Sequence, residues 1–439
     1  MSLFRNVRAV AAVFAVLSAL SLALAPARLV LAAKPGERIV FIGRESASGY
    51  LIGIEPEWKL KFQIGDKQTV VPAGEVAFWG RYHDVETGPQ ILLRDGSILR
   101  ADLLDLSADA VTIGDATGLG RCLWDESALP RSAVRGVLLQ PPVDALARDK
   151  MLARIASYAL ADDQLLLIGG ESVSGRLIDA PRGGRFLPEG EKSADVYRLA
   201  RPGMAETLDV PTGKVVAVFL GGAGRVTASR GAVQLGFSDG SLIAARQVAV
   251  AGDAVRFDLE GGGTLTAPLN QADEDAPTLW RKITWGRPGS ERVKYLSDLQ
   301  PLGYKHIPLL TLEWPFGQDR NVLGGRLRSG GAIYPKGLGM HTVSRLAYNL
   351  DGKYRRFEAE LALDDAAQLG GSVTFKVLVE RTPNQWASLY ESPAIRGGDA
   401  PVLISLDVQG ARRIALIVDY AYRADELDHA NWLMARLVE

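Results

Sequence analysis

Residue types that commonly do chemistry are sparse and scattered in this chain. The four histidines, His83, His306, His341 and His429, are far apart, so no HExxH-type zinc motif exists. Cys122 is the single cysteine, which excludes an intrachain disulfide and a cysteine-based zinc site. With no motif-placed histidine it reads as a packed side chain rather than a nucleophile. Gly170-Glu-Ser-Val-Ser174 approaches the G-x-S-x-G elbow but ends on serine, and it sits in a hairpin signal rather than a strand–helix turn. Gly221-Gly-Ala-Gly224 lacks both the spacing of a P-loop and its following Lys-Ser/Thr. Acids adjoin at Asp162-Asp163, Asp273-Glu-Asp275 and Asp364-Asp365. A glycosidase pair, however, must face each other across a sugar from separate elements. No catalytic constellation emerges.

The whole chain sets the frame for whatever positions these residues. It has 439 residues, enough for two to four domains at roughly 100–200 residues each. Hydrophobic residues make up 47% and charged residues 23%, which excludes wholesale disorder. Fifty Lys and Arg against 51 Asp and Glu leave no basic surplus for nucleic acid. The 47 glycines and 22 prolines call for many turns and short elements. At the start, Arg5 and Arg8 precede an apolar run from Ala9 to Ala25 and small-residue sites at Ala27 and Ala32. That pattern predicts a signal peptide over residues 1–32, with an uncleaved anchor as the competing reading. No later segment is apolar enough to span a membrane, so the expected location is secreted, periplasmic or cell-surface.

The middle of the chain repeats. Ile42–Gly53 aligns with Ile168–Asp179 at eight of twelve positions, and Val71–Val76 matches Val210–Val215. Asp95-Gly-Ser97 then matches Asp239-Gly-Ser241, and Asp109–Val111 matches Asp253–Val255, both at an offset of 144. The order predicts two related β halves, 33–142 and 162–290, with an insertion around 182–205 in the second. Proline followed four residues later by valine (Pro72/Val76, Pro130/Val134, Pro211/Val215) suits a tight turn before a last strand, as in small SH3- or Sm-like β-barrels. Residues 143–161 read as one connecting helix, with Asp144 as cap and Leu146, Met151, Leu152, Ile155 and Ala159 as an apolar docking stripe.

From 291 to 439 the texture changes to longer alternating runs, such as Phe357–Leu363 and Val373–Val379, separated by glycine turns. Such runs without a clear helix describe a β-sandwich. In order come Tyr295-Leu-Ser-Asp-Leu299, Lys336-Gly-Leu-Gly-Met-His341, Tyr348-Asn-Leu-Asp-Gly-Lys-Tyr354, Leu363-Asp-Asp365, Gly371-Ser-Val373, Ser392-Pro393, Arg396-Gly-Gly-Asp399 and His429-Ala-Asn-Trp-Leu-Met-Ala-Arg-Leu437. This series resembles the NPCBM domain, a carbohydrate-binding module of bacterial exported proteins and some glycoside hydrolases. The resemblance implies a galactose-binding-like jelly roll that holds a sugar in its end loops, with a structural calcium in some members and no other cofactor. The sequence departs from the family at Asn431-Trp432, usually Asp-Trp, and at the insertion Arg381–Trp386 in a strand connection that is usually tighter.

Sugar recognition needs an aromatic face for C–H bonds and planar polar groups for hydroxyls. Loop candidates are therefore Trp386, His341, Arg396, Asp399, Asp428 and His429. Structural roles compete for some of them. His341 and His429 could instead orient turns, Asp399 follows Gly397-Gly398 and could hold its own turn, and Trp432 reads as core. The expected protein is all-β: a duplicated region of small barrels with one connecting helix, then a jelly roll. Its expected function is exported, non-catalytic carbohydrate binding, with an envelope or protein partner for the duplicated region. The alternative is a glycan-processing hydrolase using the jelly roll as accessory module.

Overall fold

A computed structural model describes residues 37–85, 88–118, 122–179, 196–201, 203, 206–222, 232–270, 278–309, 311–422 and 424–439. The expected signal segment 1–32, residues 182–195, 202, 204 and 205 of the expected insertion and the acids at 273–275 lie outside these. The chain is mostly β-strand, with two α-helices among the described residues. None of the described helices is long and apolar enough to cross a membrane.

Residues 37–287 form four successive strand groups, and in each the last strand returns to pair antiparallel with the first. These closures are Val76–Gly80 on Glu37–Phe41, Val134–Leu138 on Gln90–Leu93, Val215–Phe219 on Asp163–Leu167, and Ile283–Arg287 on Val233–Phe237. Pro72, Pro130 and Pro211, with φ of −57°, −55° and −58°, each lead into a single 3-10 turn ahead of a closing strand. The fourth group uses a short helix there, Leu279–Lys282.

The groups join through these same strands. The first and fourth meet at Trp79↔Gly286, and the second and third at Gly136↔Phe219. The second and fourth meet reciprocally. Ser97 Oγ accepts from the Ala244 N–H at 2.9 Å, and Ser241 Oγ accepts from the Arg100 N–H at 3.0 Å. Asp95 and Asp239 each accept from the N–H two residues on, at 2.8 and 2.9 Å, beside Gly96 and Gly240 at φ 90° and 87°. That left-handed conformation favours glycine.

The helix Ala145–Ser157 is capped by Asp144, which accepts from the Ala147 N–H at 2.7 Å. Leu152 and Ile155 bury against Leu92, Leu138, Leu166 and Phe219 of the second and third groups. Ala159, included in the expected stripe, lies past the helix end and is exposed, while Tyr158 takes its place in the cluster.

Residues 293–438 form a sandwich of two antiparallel sheets. One contains Gly337–Met340, Ala430–Val438, Arg356–Leu363 and Val402–Asp407, and the other Gly303–His306, Ser344–Asn349, Arg413–Tyr420, Ser372–Thr382 and Gln385–Glu391. Trp432 is fully buried between them, edge-on to Phe375 at 5.0 Å. The strand Ala430–Val438 is buried at every position, because its outer face meets the first strand group through Met434, Val438, Phe78 and Val40.

A buried charge cluster ties the same regions. Asp84 meets Arg148 at 3.0 Å, Arg326 at 2.5 Å and Arg328 at 3.0 Å, and Asp149 meets Arg326 at 2.6 Å and Arg328 at 3.0 Å. Burial alone would raise the Asp84 carboxyl. The Arg328 hydrogen bond and the charges of Arg326, Arg328 and Arg148 outweigh it and hold the group well below the usual carboxylate range.

Candidate functional site

The register of the sandwich brings two histidines together. Met340 pairs with Ala430, so His341 and His429 follow as neighbours where the two strands end, with ring centroids 6.0 Å apart. Trp314, from the loop after Gly303–His306, lies flat on His341 at 4.6 Å with 2° between planes, and 6.0 Å from His429. His306 fixes that loop. Its Nδ1 accepts the Trp314 N–H at 3.2 Å, and its Nε2 therefore donates to the Thr342 carbonyl at 2.8 Å. Trp314 is half-buried, so part of its surface stays open to solvent.

Protonation follows from this packing. Burial lowers the His341 pKa despite the Thr342 hydrogen bond. Burial, reinforced by His341, pushes His429 down to about 4. Both rings are thus neutral at neutral pH. His341 Nδ1 donates to the Thr342 carbonyl at 3.0 Å, which leaves its Nε2 as an acceptor. His429 Nδ1 is buried with no partner among the described residues. An indole face beside the His341 Nε2 acceptor suits a neutral polyhydroxylated ligand, with C–H on the ring and a hydroxyl on that nitrogen.

The other sequence candidates divide between supporting roles and a different place. Asp428 is fully buried, so it does not face a ligand. Its two oxygens accept from the Ser372 N–H at 2.7 Å and the Thr342 hydroxyl at 2.9 Å, holding the loops that carry the histidines. Burial raises its pKa to about 6. Asp399 accepts the Arg396 N–H at 2.8 Å and stabilises its own turn. Arg396 is exposed, pairs with Ser372 at the same end of the sandwich, and lies 5.2 Å over the Tyr422 ring. Trp386 is exposed but stands on the strand Gln385–Glu391, not in a loop. It pairs with Glu380, eight residues and roughly 26 Å along the strand from Ser372, whose N–H meets Asp428 at the histidine end. The expected single site of six residues is therefore two places: the two histidines with Arg396, Asp399 and Asp428 at one end, and Trp386 at the other.

Sequence reasoning missed Trp314, His306 and Tyr422. Glu313-Trp314-Pro315 belongs to no alternating run, and an aromatic flanked by proline close after a histidine was the available signal.

The adjacent acids are occupied. Asp364 accepts from Asn321, Asn431 and the Arg328 N–H, and Asp365 from the Gly330 and Gly331 N–H groups. Asp163 binds Arg131 at 2.6 Å and two backbone N–H groups. No three His, Cys, Asp or Glu side chains gather for a metal among the described residues. Asp364 and Asp428 accept from N–H and O–H donors. Asn431 explains one family departure, since its amide donates to Asp364 at 2.8 Å where an aspartate would oppose it. Burial pushes the Cys122 thiol up, to about 12, against the opposing Trp124 N–H bond, and leaves it unreactive.

Residues 292–438 match the NPCBM/NEW2 domain. A Renibacterium salmoninarum protein named "Putative endo-alpha-N-acetylgalactosaminidase" is 32% identical over 146 residues, 33% of this chain and 9% of that protein's length. Among solved structures, the CBM51 module of Clostridium perfringens GH95, in complex with methyl-galactose, is 21% identical, covering 33% of this chain and 99% of that one, with a TM-score of 0.29. The tandem CBM51 modules of the family 98 glycoside hydrolase from Streptococcus pneumoniae SP3-BS71 are 15% identical, covering 92% and 99%, with a TM-score of 0.29. The family match thus falls on the C-terminal third of the chain, and the similarity to the Renibacterium protein spans a third of the chain as well.

Proposed function

We propose that this protein is an exported, non-catalytic glycan-binding protein whose NPCBM/NEW2 region holds a neutral sugar against Trp314, His341 and His429. One observation carries the reading. A half-buried indole is stacked on a neutral imidazole whose Nε2 is an acceptor, beside a second neutral imidazole, at the loop end of a module from a carbohydrate-binding family. Asp428 positions the loops, and Arg396 over Tyr422 forms part of the rim. Export is inferred from the charged start and apolar run of residues 1–25, and N-terminal sequencing of the secreted or periplasmic product tests it.

The four strand groups of 37–287 are proposed to be duplicated SH3-like barrels that present the module and meet an envelope or protein partner. The reciprocal Ser97 and Ser241 bonds support that reading. The hydrolase alternative draws on the name of the Renibacterium relative, but a match spanning 9% of that protein speaks for a shared module.

A glycan-array screen of the full chain, followed by calorimetric titration of the best neutral glycan, tests the sugar site. Trp314→Ala is expected to weaken binding about tenfold, and His341→Ala to weaken it further by removing the Nε2 acceptor. An array without neutral hits, or unchanged affinity in both variants, overturns the proposal.

A further inference from the structure

The displaced Trp386 belongs to a feature of its own. In an antiparallel sheet, directly paired residues project from the same face. Across the outer face of the second sheet one such row reads Gly303, Ala347, Ala415, Leu378 and Ser388. Four of these five are small, so the row is low, and it runs perpendicular to the strands for roughly 19 Å at ordinary strand spacing. The rows on either side are taller. One runs Lys305, Arg345, Ile417, Lys376 and, on the edge strand, Glu391, and the other Asn349, Arg413, Glu380 and, on the edge strand, Trp386. Between the two banks lies a trough of about 580 Å³.

Its chemistry is distinct from the histidine site. The lining contains three cations and no carboxylate. Arg413 is 3.2 Å from Glu380 and so partly neutralised. Glu391, at the edge-strand end of the Lys305–Arg345 row, and Asp419, one row beyond, are each held by Lys376 at 3.3 Å. Lys305 and Arg345 are exposed and meet no acceptor among the described residues. Trp386 is 41% exposed at the mouth of the trough. An open channel across a sheet, with an indole at one end and unpaired positive charge along a bank, complements an extended, ring-containing, negatively charged chain.

We propose that this trough is a second glycan site, one that takes a linear acidic polysaccharide across the strands, with a sugar face on Trp386 and its anionic groups against Lys305 and Arg345. Carboxylate and sulfate groups share the required charge, and the test separates them. The full chain is titrated with polygalacturonate, with heparin and with neutral dextran. Binding to at least one of the two anionic polymers is expected, and the one bound names the anionic group. Trp386→Ala should weaken it roughly tenfold. The double variant Lys305→Gln, Arg345→Gln should lose it at physiological salt, where the Debye length is about 8 Å and only close charges count. Melting temperatures should be unchanged, because all three side chains are exposed. Failure to bind either anionic polymer, dextran binding as tight as theirs, or full affinity in both variants would overturn the proposal. The neutral-sugar titration at Trp314 reads a different site, so either result can fail alone.

Discussion

His429 and Asp428 are sequence neighbours whose burial acts in opposite directions on stability. His429 is pushed from its ordinary 6.5 to about 4, so between those values the unfolded chain holds more protons than the folded one. Its contribution therefore falls as pH drops through that window. Asp428 is raised from 3.8 to about 6, so there the folded chain holds more protons, and its contribution falls as pH rises through that window. The two largely offset each other in the intact protein, and single variants should expose each half. Relative to wild type, the melting temperature of His429→Gln should improve as pH is lowered from 6.5 to 4. That of Asp428→Asn, on the same scale, should improve as pH is raised from 4 to 6. Thermal melts across that range check both slopes, and parallel curves for all three proteins would contradict the assignment.

Elements place residues in ways that local sequence reveals only partly. The alternating runs of the sandwich were legible because one face of each strand must bury, as Phe357, Phe375 and Trp432 do. Trp386 read as a loop residue because Arg381–Trp386 is rich in turn formers. The turn itself is only Pro383-Asn384, with Asn384 at φ 59°, and the strand resumes at Gln385. The helix Ala145–Ser157 was legible from its cap and stripe, but its docking partner was not. Part of that partner is Gly136, where an added Cβ would stand 2.8 Å from Ile155 and 2.4 Å from the Val218 carbonyl. Ile155→Ala should destabilise by about 2–5 kcal/mol as a buried truncation, leaving glycan affinity unchanged. Denaturant titration with parallel sugar binding measures both. A loss of sugar affinity with stability intact would mean that the helix serves the site.

For the whole molecule, the strand groups join the sandwich through the apolar contact at Met434 and Val438 and through a set of charges drawn from residues 84, 148, 149, 326 and 328, too scattered in sequence to be recognised before folding. Removing one member leaves buried charge uncompensated. Asp84→Asn should therefore cost about 3–5 kcal/mol near neutral pH. Because the Asp84 carboxyl is depressed when folded, its contribution is present above the ordinary 3.8 and is lost only as pH falls toward the folded value. The penalty should thus persist from neutral pH to about 4 and shrink in stronger acid, and a uniform penalty at every pH would contradict an ionic role. The same scale offers the most direct test of the neutral-sugar site, since indole N–H signals report separately on the two ends of the sandwich. In a nitrogen-15 correlation spectrum of the full chain, the neutral glycan selected by array is expected to shift the Trp314 indole while leaving Trp386 in place. A Trp386 shift with Trp314 unmoved would contradict the account.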